Sequence, residues 1–288
     1  MKKLKIVYRC FLVSFFIVDL VFLQPVLHAC PCGCGSASPL LLSHGEQFKF
    51  KQGLSKEFSH AWVDEDGSFG ESNKGSIYTL DTGFAFKLTN KLSTSLTLPL
   101  KYDGRYGKKE KGLGEPSIGL RYFLLDQYLG SEIRSEVYLL GSVKYPYSEA
   151  LDSNGYWELS PGLEALFYFN EWNIGISERV VWRDSKVVNQ STLAPGLINR
   201  IKISAGYTWF GVGQVMLGLE QELRGQDKFD NEYQEGTERT EHKMHLTLNG
   251  RVGERKTISL TYSQLAPFLP NKNTSSYNTI GINYIHSV

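Results

Sequence analysis

Ser117-Ile118-Gly119-Leu120-Arg121-Tyr122-Phe123-Leu124 decides the fold. Ile118, Leu120, Tyr122 and Leu124 fall on one face of an extended chain, with Gly119, Arg121 and Phe123 on the other. Alternation with a period of two marks a strand with one apolar face. From residue 46 to the C-terminus the pattern recurs in segments of roughly ten residues, the length that crosses a bilayer as a tilted strand. Every second connection is very short; the others are long, polar and Gly-rich. Together these features predict an all-β fold: a transmembrane up-and-down antiparallel β-barrel of about 12 strands, spanning 46–288.

The predicted strands are 46–58, 76–88, 92–102, 117–125, 132–145, 156–169, 172–183, 192–210, 213–224, 243–252, 257–265 and 277–287. Thr89-Asn90-Lys91, Asn170-Glu171, Gly211-Val212 and Gly253-Glu254-Arg255-Lys256 read as tight hairpin turns, and Asp126 to Ser131 as a slightly longer one. Segments 59–75, 103–116, 146–155, 184–191, 225–242 and 266–276 read as long external loops. An even strand count puts both termini on the short-turn, periplasmic side. Two places strain the pattern. Glu178 falls in the lipid-facing register of the seventh strand, so a β-bulge near Ser177 is expected to turn it inward. The eighth segment is longer than a crossing needs, so its start at Pro195-Gly196 should project or bend.

Residues 1–9 carry Lys2, Lys3, Lys5 and Arg9, followed by an apolar run from Cys10 to Leu23, Gln24-Pro25 and Leu27-His28-Ala29. This order is that of a cleaved secretory signal over 1–29, the run being short for a spanning helix despite Asp19. Leu27-His28-Ala29-Cys30 resembles the lipobox of bacterial lipoproteins, with His28 where a small residue is usual; either Cys30 carries lipid or ordinary signal-peptidase cleavage applies. Residues 30–45 form a Cys-rich periplasmic leader. Cys30, Cys32 and Cys34 would project their sulfurs to one side of an extended chain, as a Cu(I) or zinc thiolate site requires. Against that stand an acylated Cys30 with a Cys32–Cys34 pair, or a plain leader. No cofactor is expected.

A net charge of +1 gives no case for nucleic acid. Aromatics make up 13%, which suits the girdles of a membrane barrel. Mean hydropathy is −0.25, because only alternate residues of such a barrel meet lipid. The polar register holds Asp81, Lys87, Lys101, Arg121, Arg134, Glu136, Lys144, Glu158, Glu164, Arg179, Arg200, Lys202, Glu220, Glu222 and Arg251. This set lines either a pore for small solutes or an internal network that closes a narrow barrel. Lys87, Lys101, Arg121, Glu136, Glu164, Arg200, Lys202, Glu220 and Arg251 are the candidate selectivity residues.

Gly112-Leu113-Gly114-Glu115-Pro116-Ser117-Ile118-Gly119-Leu120-Arg121-Tyr122 resembles the signature of the phenol meta-pathway outer-membrane proteins, with Glu115 in place of the usual Asp. The resemblance implies passage of small, often apolar or aromatic, molecules. The chain ends in Val288 rather than an aromatic, leaving Tyr284 for the assembly signal. The expected partners are outer-membrane lipids, the barrel-assembly machinery and small solutes. No enzyme is expected: no His-x-Ser pair with an orienting Asn occurs, and His242 and His245 have opposite parity.

Overall fold

The computed structural model describes residues 42, 46–64, 68–104, 110–129, 133–146, 155–188, 191–209 and 212–288. The signal segment 1–29 and Cys30, Cys32 and Cys34 lie outside the described residues. Twelve long strands follow the chain: β1 (Phe48–Val63), β2 (Phe69–Lys87), β3 (Leu92–Asp103), β4 (Ser117–Leu129), β5 (Ile133–Lys144), β6 (Gly162–Phe169), β7 (Trp172–Arg183), β8 (Ile198–Trp209), β9 (Gly213–Arg224), β10 (Arg239–Gly253), β11 (Lys256–Leu265) and β12 (Thr274–Ser287). Each pairs antiparallel with the next, and β12 pairs back onto β1, so the sheet closes. Closure removes every edge on which unpaired backbone would meet lipid. It reaches the last residue, since Val288 and Phe48 exchange both backbone hydrogen bonds, at 2.9 and 3.1 Å.

Leu54, Leu100, Ile118, Leu120, Leu139, Leu163, Ile203, Leu217, Leu260 and Ile282 all face outward and exposed. Two aromatic belts flank this apolar band. Near the short turns Phe48 meets Phe86 at 5.4 Å and Trp172 meets Tyr207 at 5.0 Å, both pairs tilted. Near the long loops Tyr78 meets Tyr102 at 6.0 Å and Tyr145 meets Trp157 edge-on at 5.0 Å. Lys56 lays its ammonium over Phe58 and Tyr78 in the loop-side belt, where a long side chain can reach polar headgroups.

The break expected at Pro195-Gly196 is present, while several strand bounds and Glu178 differ from the expectation: Glu110–Leu113 pairs with β3, and β10 and β12 begin inside segments that read as loop. The first hairpin is longer: β1 runs to Val63 and β2 starts at Phe69, so most of 59–75 is strand, with a bulge between Ser59 and Ala61. Beyond the bilayer both faces of a strand meet water, so the alternation that betrays it is lost. The eighth segment is interrupted. Ser191–Ala194 joins a separate 4-stranded sheet with Lys186–Val188, Lys228–Phe229 and Glu232–Tyr233, and β8 begins at Ile198. Pro195 cannot donate to a ladder, and a Cβ on Gly196 would collide with the Gly225 carbonyl. The sixth is interrupted likewise, at Ser160-Pro161, between Glu158–Leu159 and β6.

Glu178 differs as well. The expected bulge near Ser177 is absent: the registers of β7 with β6 and with β8 run unbroken through it. A bulge instead lies in β4 between Phe123 and Leu125, which turns Leu124 and Leu125 both outward. Glu178 stays on the outer face, opposite Leu163 and Ile201, accepting a 3.2 Å hydrogen bond from Asn199 Nδ2. Replacing it with leucine should therefore stabilise the reconstituted barrel, by about 1–2 kcal/mol, since a carboxylate on the lipid face is unfavourable. Denaturant unfolding in vesicles reads this directly; a less stable Glu178→Leu barrel would place the carboxylate in water.

Candidate functional site in the barrel lumen

The inward register is mainly polar or small, with Tyr138, Leu140, Leu166, Tyr168 and Met216 among it. On β11, β12, β1 and β3 it presents Thr257, Ser259, Thr261, Ser263, Thr279, Gly281, Gly53, Ser55, Ser93, Ser95 and Thr97. On β4 to β10 it presents long charged and aromatic side chains. Lys49, Lys51, Asp81 and Lys101 stand among the short side chains.

Arg121 is the hub of the charged half. It is buried, donates from Nη2 to Glu164 at 2.9 Å, and lies flat over the Tyr138 ring at 3.3 Å. Tyr138 donates to Glu136 at 2.8 Å, Tyr168 donates to the same oxygen at 3.3 Å, and Arg134 bridges Glu136 and Asp126 at 2.8 and 2.9 Å. The other guanidinium nitrogen, Nη1, donates to the Leu42 carbonyl at 3.1 Å. Leu42 precedes β1, and it is buried against Ala85 inside the turn-side mouth. Glu46 and Lys49 pair beside it at 2.9 Å, with Lys49 only 1% exposed. The turn-side mouth is thus filled by residues leading into β1 as well as by the wall.

Further along, Arg200 donates to Glu222 at 2.6 and 3.0 Å and lies 3.7 Å from Glu220, which faces His245 at 3.5 Å. Towards the long loops Glu241 is fully buried; it pairs with Arg239 and Lys243 and accepts from Thr274 at 2.8 Å and Tyr277 at 2.9 Å. Between these clusters is a cavity of ≈ 50 Å³ lined by Leu166, Tyr168, Met216, Asn173, Lys202 and His245 among others.

Among the selectivity candidates, Arg121, Glu136 and Glu164 share the turn-side cluster, and Arg200, Lys202 and Glu220 the middle one. Lys101 stands on the opposite wall, where it and Lys51 act on Asp81. Lys87 lines the recess beside Leu42. Arg251 belongs to the turn-side rim, donating to the Gly253 and Glu254 carbonyls at 2.9 and 2.6 Å. Sequence reasoning missed Tyr138, Tyr168, Leu166 and Met216, apolar or aromatic residues in the polar register; their parity alone carried the signal. It also missed the depth of Leu42. His242 faces outward and His245 inward, as their parity requires. Among the described residues no group of three or more His, Cys, Asp or Glu is placed to hold a metal ion.

No family model matches the sequence, and no curated protein does. Solved structures do. The crystal structure of an outer membrane channel from Pseudomonas putida F1 superposes with a TM-score of 0.68 at 10% identity, covering 88% of this chain and 99% of that one. The KdgM porin in complex with oligogalacturonate gives 0.48 at 8% identity, covering 83% and 99%; the P. putida toluene transporter TodX gives 0.45 at 9%, covering 84% and 90%. The first of these shares the fold.

Proposed function

We propose that this chain is an outer-membrane channel for passive passage of small solutes, apolar or aromatic ones included. The observation that carries the reading is a closed barrel with a lipid-facing band outside and a largely polar, charged register inside. The fold shared with the P. putida channel supports it, and the Gly112–Tyr122 signature favours the phenol meta-pathway group. In this reading 1–29 is the signal peptide, 30–45 the leader, and both termini are periplasmic. Lys87, Lys101, Arg121, Glu136, Glu164, Arg200, Lys202, Glu220 and Arg251 set the selectivity, and no residue is catalytic. Tyr284 belongs to the signal read by the barrel-assembly machinery.

Planar-bilayer conductance of the refolded protein tests the reading. Discrete current steps are expected; their absence in repeated reconstitutions of demonstrably folded barrel would overturn it. A second reading, a barrel closed inside that serves as an anchor or interaction module, is favoured by Arg121 binding Leu42 within the mouth. Its partners would meet the loops or the Cys30, Cys32, Cys34 leader, whose lipid or metal mass spectrometry of the mature N-terminus would reveal.

A further inference from the structure

Arg179 on β7 and Arg200 on β8 stand directly opposite each other in the ladder, both facing the lumen. Such pairs have their Cβ atoms about 5 Å apart, and like charges so placed repel unless something answers them. Glu222 and Glu220 answer Arg200. Among the described residues no carboxylate pairs with Arg179, and its guanidinium makes no hydrogen bond. Its stem crosses Gly162, where a Cβ would strike the Arg179 Cγ and the Glu178 carbonyl, so the glycine lets the side chain lie against the wall.

The charges facing Arg179 are known from each neighbouring strand. Glu164 and Glu220 attract it, while Arg200 and Arg121 repel it. Glu164 is already held by Arg121, and Glu220 by Arg200 and His245.

Two residues nearer the turn side on β6, β7 and β8 come Glu164, Ser177 and Lys202, which line the ≈ 50 Å³ cavity. Its lining is mixed: Leu166, Met216 and the Tyr168 ring are apolar, while Asn173, Ser204 and Thr247 are polar. One water needs about 10–15 Å³ on this measure, so the space takes a chain of about four heavy atoms.

The geometry points to a binding site in which Arg179, beside Arg200, takes the carboxylate of a small organic anion whose short apolar tail enters this cavity. A guanidinium donates two parallel hydrogen bonds to a carboxylate, and a short aliphatic tail can pack on Leu166, Met216 and the Tyr168 ring. As a substrate class, small apolar carboxylates, the inference rests on the channel reading; as a binding site it does not.

The test is calorimetric titration of sodium butyrate into the folded, detergent-solubilised protein, with butyramide and phosphate in parallel. Butyrate should bind, the neutral butyramide should not, and phosphate should bind more weakly, having no tail. Arg179→Gln should weaken butyrate about tenfold or more, the loss of one charge-assisted fork, while Arg179→Lys, which keeps the charge, should retain part of the affinity. Heat-dependent gel mobility confirms that each variant is folded. No butyrate binding, equal binding of butyramide, phosphate binding at least as tight as butyrate, or an unchanged Arg179→Gln affinity would each overturn the site. Silence in the bilayer with butyrate binding intact would overturn the channel and leave the site standing.

Discussion

Glu241→Ala is expected to destabilise the barrel by about 3–5 kcal/mol, the cost of removing one partner from a buried charge cluster. The Glu241 side chain has no exposed surface, and it answers two cations, Arg239 and Lys243, that are themselves only 29% and 17% exposed. It also accepts from Thr274 and Tyr277 on β12, although its own strand is β10. The carboxylate therefore reaches past the loop-side end of β11 and ties two strands that are not ladder neighbours. Removing it strands two partly buried positive charges and two hydroxyls together. Tyr277→Phe removes one hydroxyl only and should cost about 1 kcal/mol. Mutating Arg239 and Lys243 in the Glu241→Ala background should then cost little more, because the residues act as a unit. Denaturant unfolding followed by tryptophan fluorescence measures all of these. A loss from Glu241→Ala no larger than that from Tyr277→Phe would show that lumen water already screens the cluster.

That cluster also shows what a sequence of this kind conceals. The parity that put Glu222, Glu220 and Arg200 inside was legible from the alternation alone, because one face of each crossing must be apolar in lipid; Arg239 and Glu241 fall in 225–242, which reads as loop. Which inward residue meets which depends on register and strand tilt. Arg121 finds Glu164 across 43 residues of chain and Leu42 across 79, and no spacing rule links them. The reading failed where its physical basis lapses. Outside the bilayer a strand has no reason to alternate, so the far ends of β1 and β2 looked like loop. Within it, Glu178 breaks the apolar rule without a bulge, because Asn199 on β8 faces the same way and donates to it. Tyr138 and Leu140, buried on the inward face of β5, break the converse rule, and a lumen half filled by side chains tolerates that.

Arg121→Ala is expected to raise single-channel conductance severalfold, since pore-lining side chains at a constriction set both radius and electrostatic barrier. No other lumen side chain described here joins as many parts of the mouth: Glu164 on β6, the face of Tyr138 on β5 and the carbonyl of Leu42 ahead of β1. Truncation removes the guanidinium from the passage and releases Leu42 from its hydrogen bond. It also leaves Glu164 without its cation, so the mouth turns more negative and selectivity should move towards cations. Arg121→Lys separates these effects. A lysine keeps the charge but cannot make the two-sided contact with Glu164 and Leu42 that a planar guanidinium makes; conductance should rise while ion preference holds. Reversal potentials under a salt gradient, with conductance from the same records, distinguish the two variants. Unchanged conductance in Arg121→Ala would move the constriction to the Glu220–Arg200 level. A fall in conductance would show that Arg121 holds Leu42 aside rather than in the way.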